Sequence, residues 1–505
     1  MTSSSVPSPP ETSLFAPSPP AQVTPSALPA RPPLPERPRH VHLIAIAGVG
    51  MASLAGMLRE AGHHVSGSDA GVYPPMSTLL ASLGIPVTEG FRAENLQPRP
   101  DLIVVGNAMS RGNPEVEAML AAGIPYCSLP EALMRFFMRA RRRAVVTGTH
   151  GKTTSSALLA WVLHETGGDP SFMIGGACKN FARNFRLGGG NWFVVEGDEY
   201  DTAFFDKSPK FLHYDPDALL VTAVEFDHAD IYRDLEHVKG AFTALVRGKR
   251  AGVPLVVSAD FPEARAVIAA SGQRATLFGM ARDADWRAED VRDTGSATCF
   301  TVVTPAGRCH AAACPGPGAM TVVNALGVVA LAAAIGVREE AGIAALASFR
   351  GVRRRQEVIG RGRGIDLIDD FAHHPTAVAA TLAALRARYP GRRLWALFEP
   401  RSNTSRRRVF QEAFADAFAG ADRVTFAAVH RREQIPEAER LSTERLVAVL
   451  ARRGVGGETC EGPDDICALV EREAAAGDVV VLMSNGGFGG LAQKLVVALA
   501  LEPVA

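Results

Sequence analysis

The chain has 505 residues and is 47% hydrophobic, enough to bury several cores, so two to four domains are expected. Lysine plus arginine equals aspartate plus glutamate at 53 each; no global basic field favours nucleic acid, and runs such as "RARRR" and "SRRR" read as solvated faces. Seven cysteines, an odd count with no C-x-x-C pair, argue against both a disulfide framework and a zinc site, and a reducing, cytoplasmic setting is expected.

Residues 1–39 are dominated by Pro, Ser and Ala. Such a segment buries too little apolar surface to offset its ordering entropy, so it reads as a disordered tail whose removal leaves activity and stability unchanged. It lacks the continuous apolar core of a secretory signal. No membrane span is expected: "VVNALGVVALAAAIGV" comes nearest, but it is short and contains Asn324.

The first folded unit, residues 40–140, opens with an apolar strand (Val41 to Ala47) running into Gly48-Val49-Gly50, a helix, and a second strand ending at Asp69. This is a Rossmann-type opening: glycines let the backbone approach a diphosphate at a helix N-terminus, and a later acid can reach a ribose or base. Ser53 stands where a third glycine is usual. A ligand-free tight turn and a nicotinamide site are the alternatives at this loop, and the second would make the chain an oxidoreductase.

The second unit, 141–349, opens with "AVVTGTHGKTTSSALLAWVL". Strand, loop and helix follow as a phosphate-binding loop requires, although only two residues separate the first glycine from the Gly-Lys pair where four are usual. Lys152 is placed on the outer phosphates, serving phosphoryl charge and not core packing, and the Thr153 hydroxyl on a magnesium ion. "WFVVEGDEYD" and "LLVTAVEFDHADIY" are buried-looking strands that end in acids. In a parallel sheet their C-termini share an edge with the phosphate loop, which brings Glu196 and His228 within reach of metal at the phosphates.

The third unit, 350–505, alternates strands ("IDLIDDFAHHP", "LWALFEPRSN", "DVVVLMSNGGFGGL") with helices and reads as a Rossmann-like α/β domain. The fold class is therefore α/β in three domains: a Rossmann-like N-terminal domain, a central P-loop ATPase-type domain on a parallel sheet, and a Rossmann-like C-terminal domain.

"GTHGKTT", "EGDEYD", "EFDHAD", the Asn in "VVNALGVVALAAA", "RRR" and "DDFAHHPT" occur in the order found in the Mur ligases, and the chain resembles that family from about residue 41 to its C-terminus. The resemblance implies amide-bond formation on UDP-N-acetylmuramic acid, driven by ATP with Mg2+. "SDAGVYPPMSTLL", "GNAMSRGNPEVE", "FFDKSPKF", "FEPRSNT" and "MSNGGFGG" are similar to members that take a murein tripeptide; free L-alanine is the alternative acceptor.

The same resemblance implies a UDP-sugar site at Gly48, Val49, Gly50, Met51, Ser68, Asp69 and Asn107. It implies an ATP site at Gly148, Thr149, His150, Gly151, Lys152, Thr153, Thr154, Asn324 (base), Arg354 (phosphate) and Asp370 (ribose). Magnesium would be held by Thr153, Glu196 and His228, with Lys152, Glu196, His228 and Arg354 as the catalytic set. His373, Arg401, Ser402, Asn403 and Asn485 are assigned to the peptide side, where arginine grips a planar carboxylate with two bonds and lysine does not.

Two departures are visible. Met320 and Thr321 replace the family's His-Asn before Asn324, and Phe242 stands where several relatives carry a carbamylated lysine. No carbamate is predicted, with Lys239 the nearby lysine. A non-catalytic ATP-binding regulator remains a further alternative, for which eroded metal ligands are expected.

Overall fold

The computed structural model describes residues 30–295 and 297–504. Residues 1–29 of the expected tail lie outside the described residues. Residues 30–39 correct the rest of that expectation, because they pack on the body. Arg31 forms a two-bond pair with Glu131 (3.0 and 2.8 Å) and lies over the Phe205 ring. Arg135 donates to the carbonyl of Pro35 at 2.7 Å, and Leu34 covers the first core. Truncation at residue 39 is expected to lower the melting temperature by about 2–4 °C relative to truncation at residue 29. Equal melting curves would show that this strap contributes nothing.

Three sheets follow in chain order. The first is wholly parallel, ordered Val87–Glu89, His64–Asp69, His40–Ile44, Leu102–Val105, Tyr126–Ser128. Its leading strand stops at Ile44, three residues short of the expected Ala47. Ala45 turns the chain with φ 67°, and Asp69 captures the Ala47 amide at 2.9 Å. The helix Val49–Glu60 starts immediately after Gly48.

The central sheet has ten strands, and its phosphate-loop strand Arg142–Thr147 lies between Ala218–Val221 and Trp192–Gly197. It is mixed and not wholly parallel. Ser171–Cys178 pairs antiparallel with Arg183–Arg186 at one edge, and Trp286–Asp293, Ala297–Val303 and Cys309–Pro315 form an antiparallel meander at the other. The interior ladders are parallel, so the strand ends that matter still converge on one edge. The apolar stretch containing Asn324 is the buried helix Ala319–Ala334, packed on this sheet. Among the described residues no helix is long and apolar enough to cross a membrane.

The C-terminal sheet has seven strands, with Ile365–Asp370, Asp478–Met483 and Arg393–Phe398 parallel at its centre and Glu357–Gly362 antiparallel beside them. Arg393–Phe398 and Asp478–Met483 are buried on both faces and read as nearly continuous apolar runs, as helices on both sides require.

The first two sheets are joined through the helix Val49–Glu60. Asn184 donates to the Ser53 hydroxyl at 2.7 Å, and Arg183 pairs with Glu60 at 2.6 Å. Gly56 faces the Phe185 ring so closely that an added Cβ would stand 2.7 Å from its Cε1. Ser53, in the third-glycine position, thus makes a joint between domains.

Candidate active site

The phosphate loop is shaped by two glycines in the left-handed region, Gly148 (φ 133°) and Gly151 (φ 81°), where side chains are disfavoured. The helix Lys152–Glu165 then begins with its free amides at the loop, an arrangement suited to an anion. The strand Ala218–Val221 ends early because Thr222 leaves the ladder to serve this loop. Its hydroxyl bonds the carbonyls of Thr147 and His150, and Ala223 accepts from the Thr149 amide at 2.8 Å. Asn324, expected at the base, sits beneath the loop instead: it accepts from Ser155 at 3.2 Å and closes the space under Gly151. Thr154 follows in the first helical turn, half-buried.

Lys152 donates to the Gly148 carbonyl (2.6 Å) and pairs with Glu199 (2.8 Å). Burial acts to depress its ammonium, but Glu199 and Asp198 outweigh that and the net shift is upward. Glu199 is buried, yet Lys152 and His228 hold its carboxylate down at about 2. His228, at φ 55°, reaches Glu199 at 3.1 Å, and Tyr232 donates to the Glu199 carbonyl. Glu199 lies within the "EGDEYD" cluster, and it is the acid on which Lys152 and His228 meet.

Thr153 donates to Glu196 at 3.2 Å, and Glu196 also accepts from the Gly175 amide at 2.6 Å. Burial and Asp198 push the Glu196 carboxyl up to about 7, so it is poised to gain from a cation. A hydroxyl and a carboxylate oxygen beside a phosphate loop fit magnesium, a hard cation that takes oxygen ligands. His228 does not join that pair here. Against the effect of burial, Glu199 raises it to about 9, and as an imidazolium it has no lone pair to offer until that contact breaks.

The His228–Glu199 contribution to stability is complete below pH 6.5 and is lost as the pH rises through about 9. Melting curves in metal-free buffer are expected to fall across that window by about 1 kcal/mol more in the wild type than in His228→Gln. Parallel pH profiles would remove the contact from the account.

Arg354 is placed away from the loop. With φ 59° it turns toward the C-terminal domain, donating to the carbonyls of Ser484 and Gly486 (2.7 Å each) and pairing with Asp369 at 3.2 Å. Arg355, one residue on, reaches the Thr153 hydroxyl at 3.1 Å and lies 4.5 Å over the Phe371 ring. Asp370 is committed to the amides of Gln356 and Ala372 (2.7 Å each), holding that turn in shape. His373 bonds the Phe371 carbonyl at 2.9 Å.

At the same edge of the C-terminal sheet, after the parallel strand Arg393–Phe398, Asn403 donates to Asp230 of the central domain at 2.7 Å, and Thr404 accepts from the Ala229 amide at 3.1 Å. Ser402 bonds Ser405 at 2.8 Å and shapes the turn. Arg401 leans on Glu399 at 3.3 Å and lies against Gly486, where an added Cβ would stand 2.7 Å from the guanidinium carbon. The Asn485 side-chain carbonyl oxygen is buried with no hydrogen-bond partner among the described residues. Lys239 is held by Glu236 and Glu263 on the surface, and Phe242 is in the core.

In the N-terminal domain Gly48 and Val49 are exposed at the end of the first strand, beside Asn107 at the end of Leu102–Val105; Gly50 and Met51 enter the helix. Asp69 accepts the Ala47 and Gly71 amides. Ser68 is spent on a buried network, donating to Glu115, which also meets His42 at 2.7 Å.

A mononucleotide-binding central sheet flanked by two further α/β sheets, with acids and a lysine at the phosphate loop, defines a nucleotide-driven ligase architecture. The chain belongs to the Mur ligase family: residues 40–141 match its catalytic domain, 146–332 its middle domain and 354–486 its glutamate ligase domain. It is an ATP-dependent ligase of that family. It is 39% identical over 472 residues to the Escherichia coli UDP-N-acetylmuramate--L-alanyl-gamma-D-glutamyl-meso-2,6-diaminoheptandioate ligase, covering 91% of this chain and 98% of the relative. A UDP-N-acetylmuramate--L-alanine ligase of Methylobacillus flagellatus is 35% identical, over 90% and 95%. The crystal structure of a murein peptide ligase from Psychrobacter arcticus superposes with a TM-score of 0.71 at 36% identity, over 92% of this chain and all of that one.

Proposed function

We propose that the protein joins the tripeptide L-alanyl-γ-D-glutamyl-meso-diaminopimelate to UDP-N-acetylmuramic acid in the cytoplasm, forming ADP and phosphate, in the recycling of murein. The observation that carries the reading is the meeting of Lys152, Thr153, Glu196 and Arg355 at the N-terminus of the helix Lys152–Glu165. Identity to the Escherichia coli relative across nearly the whole chain supports the choice of substrates.

A carboxylate and a protonated amine do not condense unaided near neutral pH, and ATP supplies the activation. The γ-phosphoryl group passes from ATP to the lactyl carboxylate of the muramic acid, giving an acyl phosphate as the bond to the β-phosphate oxygen breaks and ADP leaves. Lys152, Arg355 and the loop amides face the charge that spreads over the transferring group. Thr153 and Glu196 would hold magnesium, which supplies further charge neutralisation when bound. The peptide's α-amine, freed of its proton, then attacks the acyl carbon; the C–N bond forms, the C–O bond to phosphate breaks, and the amine's second proton is lost. The contacts of Asn403 with Asp230 and of Thr404 with Ala229 tie the C-terminal domain to the central one, and closure of the two domains would keep water from the acyl phosphate.

Phosphate release with ATP, magnesium and UDP-N-acetylmuramic acid is expected to require tripeptide. A preference for L-alanine would overturn the acceptor assignment and favour the activity of the Methylobacillus relative. Thr153→Ala and Glu196→Ala are each expected to raise the magnesium concentration for half-maximal rate by about 10-fold. Unchanged titrations in both would remove them from the cation site.

A further inference from the structure

The side chains of His150, Glu225 and His374 form a cluster whose donor atoms lie within 4.8 Å of one another; His150 belongs to the phosphate loop, but the proposed ligation gives none of the three side chains a step. The three come from three loops: His150 from the phosphate loop, Glu225 from the segment after Ala218–Val221, and His374 from the N-cap of the C-terminal-domain helix Pro375–Arg388. We propose that they form a binding site for a zinc-class divalent cation, built without cysteine and using none of the side chains assigned to magnesium. The cation would bridge the central and C-terminal domains. Two imidazoles and one carboxylate are a borderline-soft donor set that favours zinc over magnesium, and three protein ligands leave a fourth position open.

The ligands are prepared by their surroundings. His374 Nε2 donates to the Phe226 carbonyl at 3.0 Å, which fixes the tautomer and leaves the Nδ1 lone pair facing Glu225 Oε2 at 3.7 Å. The cation would displace the long 3.3 Å bond that Nδ1 accepts from the Thr376 amide. Glu225 is pinned through its backbone, its amide donating to the Thr149 hydroxyl at 2.9 Å and its carbonyl accepting from the same group. The His150 and His374 rings stand 4.5 Å apart, and His150 Nε2 meets Glu225 Oε2 at 2.6 Å. The proton in that last contact is what a cation would replace.

Chelator-stripped full-length protein, without nucleotide, is titrated with zinc against a chromophoric chelator in an excess of magnesium. The wild type is expected to hold one zinc per chain at submicromolar free metal, and Co2+ in its place to show the visible bands of a low-coordinate site. Glu225→Gln and His374→Asn, checked for folding by circular dichroism, are each expected to weaken binding by about 100-fold. His150→Asn, which removes a less buried ring, gives the same reading if the His374 variant misfolds. Release of all zinc by the wild type, or wild-type affinity in any folded variant, would overturn the site.

Discussion

Lys152→Ala is expected to lower turnover by about 1000-fold, the scale of losing one preorganised charge at a transferring group, and also to destabilise the fold by about 3 kcal/mol. The second effect departs from the reading of Lys152 as a residue of phosphoryl charge alone. The structure sets its ammonium 2.8 Å from a buried Glu199, so removing it leaves a carboxylate with His228 as its one remaining partner among the described residues. Adding Glu199→Gln to Lys152→Ala removes that charge, and the double variant is expected to regain most of the stability but none of the activity. Thermal melts and phosphate release, measured on the same three proteins, separate the two roles. A Lys152→Ala protein as stable as the wild type would show that Glu199 is not held by this pair.

Arg401→Lys is expected to raise the Michaelis constant for tripeptide by about 10-fold or more while sparing that for ATP, because a lysine cannot grip a planar carboxylate with two bonds. Gly486→Ala tests the same assignment from the other side. A methyl group there meets the Arg401 guanidinium and forces it from its resting place. Since the displaced atoms belong to the far end of a flexible side chain, the fold should tolerate the change, and the tripeptide constant alone should rise. An increase in the ATP constant in either variant would move Arg401 to the nucleotide.

The phosphate loop was legible in the sequence because its information is local: an apolar strand, two glycines and a helix that begins at Lys152. Glu196 was legible for a similar reason, at the end of a continuous apolar run. Glu199, Arg355 and Glu225 were not assigned, since their importance comes from convergence of segments far apart in the chain. The case of Arg354 and Arg355 is sharper. Which arginine faces the loop depends on a left-handed turn at Arg354, and nothing in "RRR" announces which of three like residues adopts it. The mixed edges of the central sheet escaped notice because the alternating pattern of its interior describes only the strands around the loop, whereas antiparallel meanders add strands with no intervening helix. The boundary at residue 39 failed because composition does not reveal that Arg31 finds Glu131.

The contact between Gly56 and Phe185 makes the helix Val49–Glu60 a lever with almost no slack. Normal carbon contact needs about 3.5–4.0 Å, so a single methyl at position 56 would lift the helix off the central sheet by about 1 Å. Gly48 to Met51 lie one to two turns away on the same rigid rod, about 8–12 Å along its axis, and would be carried with it. Reacting groups tolerate misplacement of only about 0.5 Å. The hydrogen atom on Gly56 thus acts as the spacer that sets the position of Gly48 to Met51 relative to the central sheet.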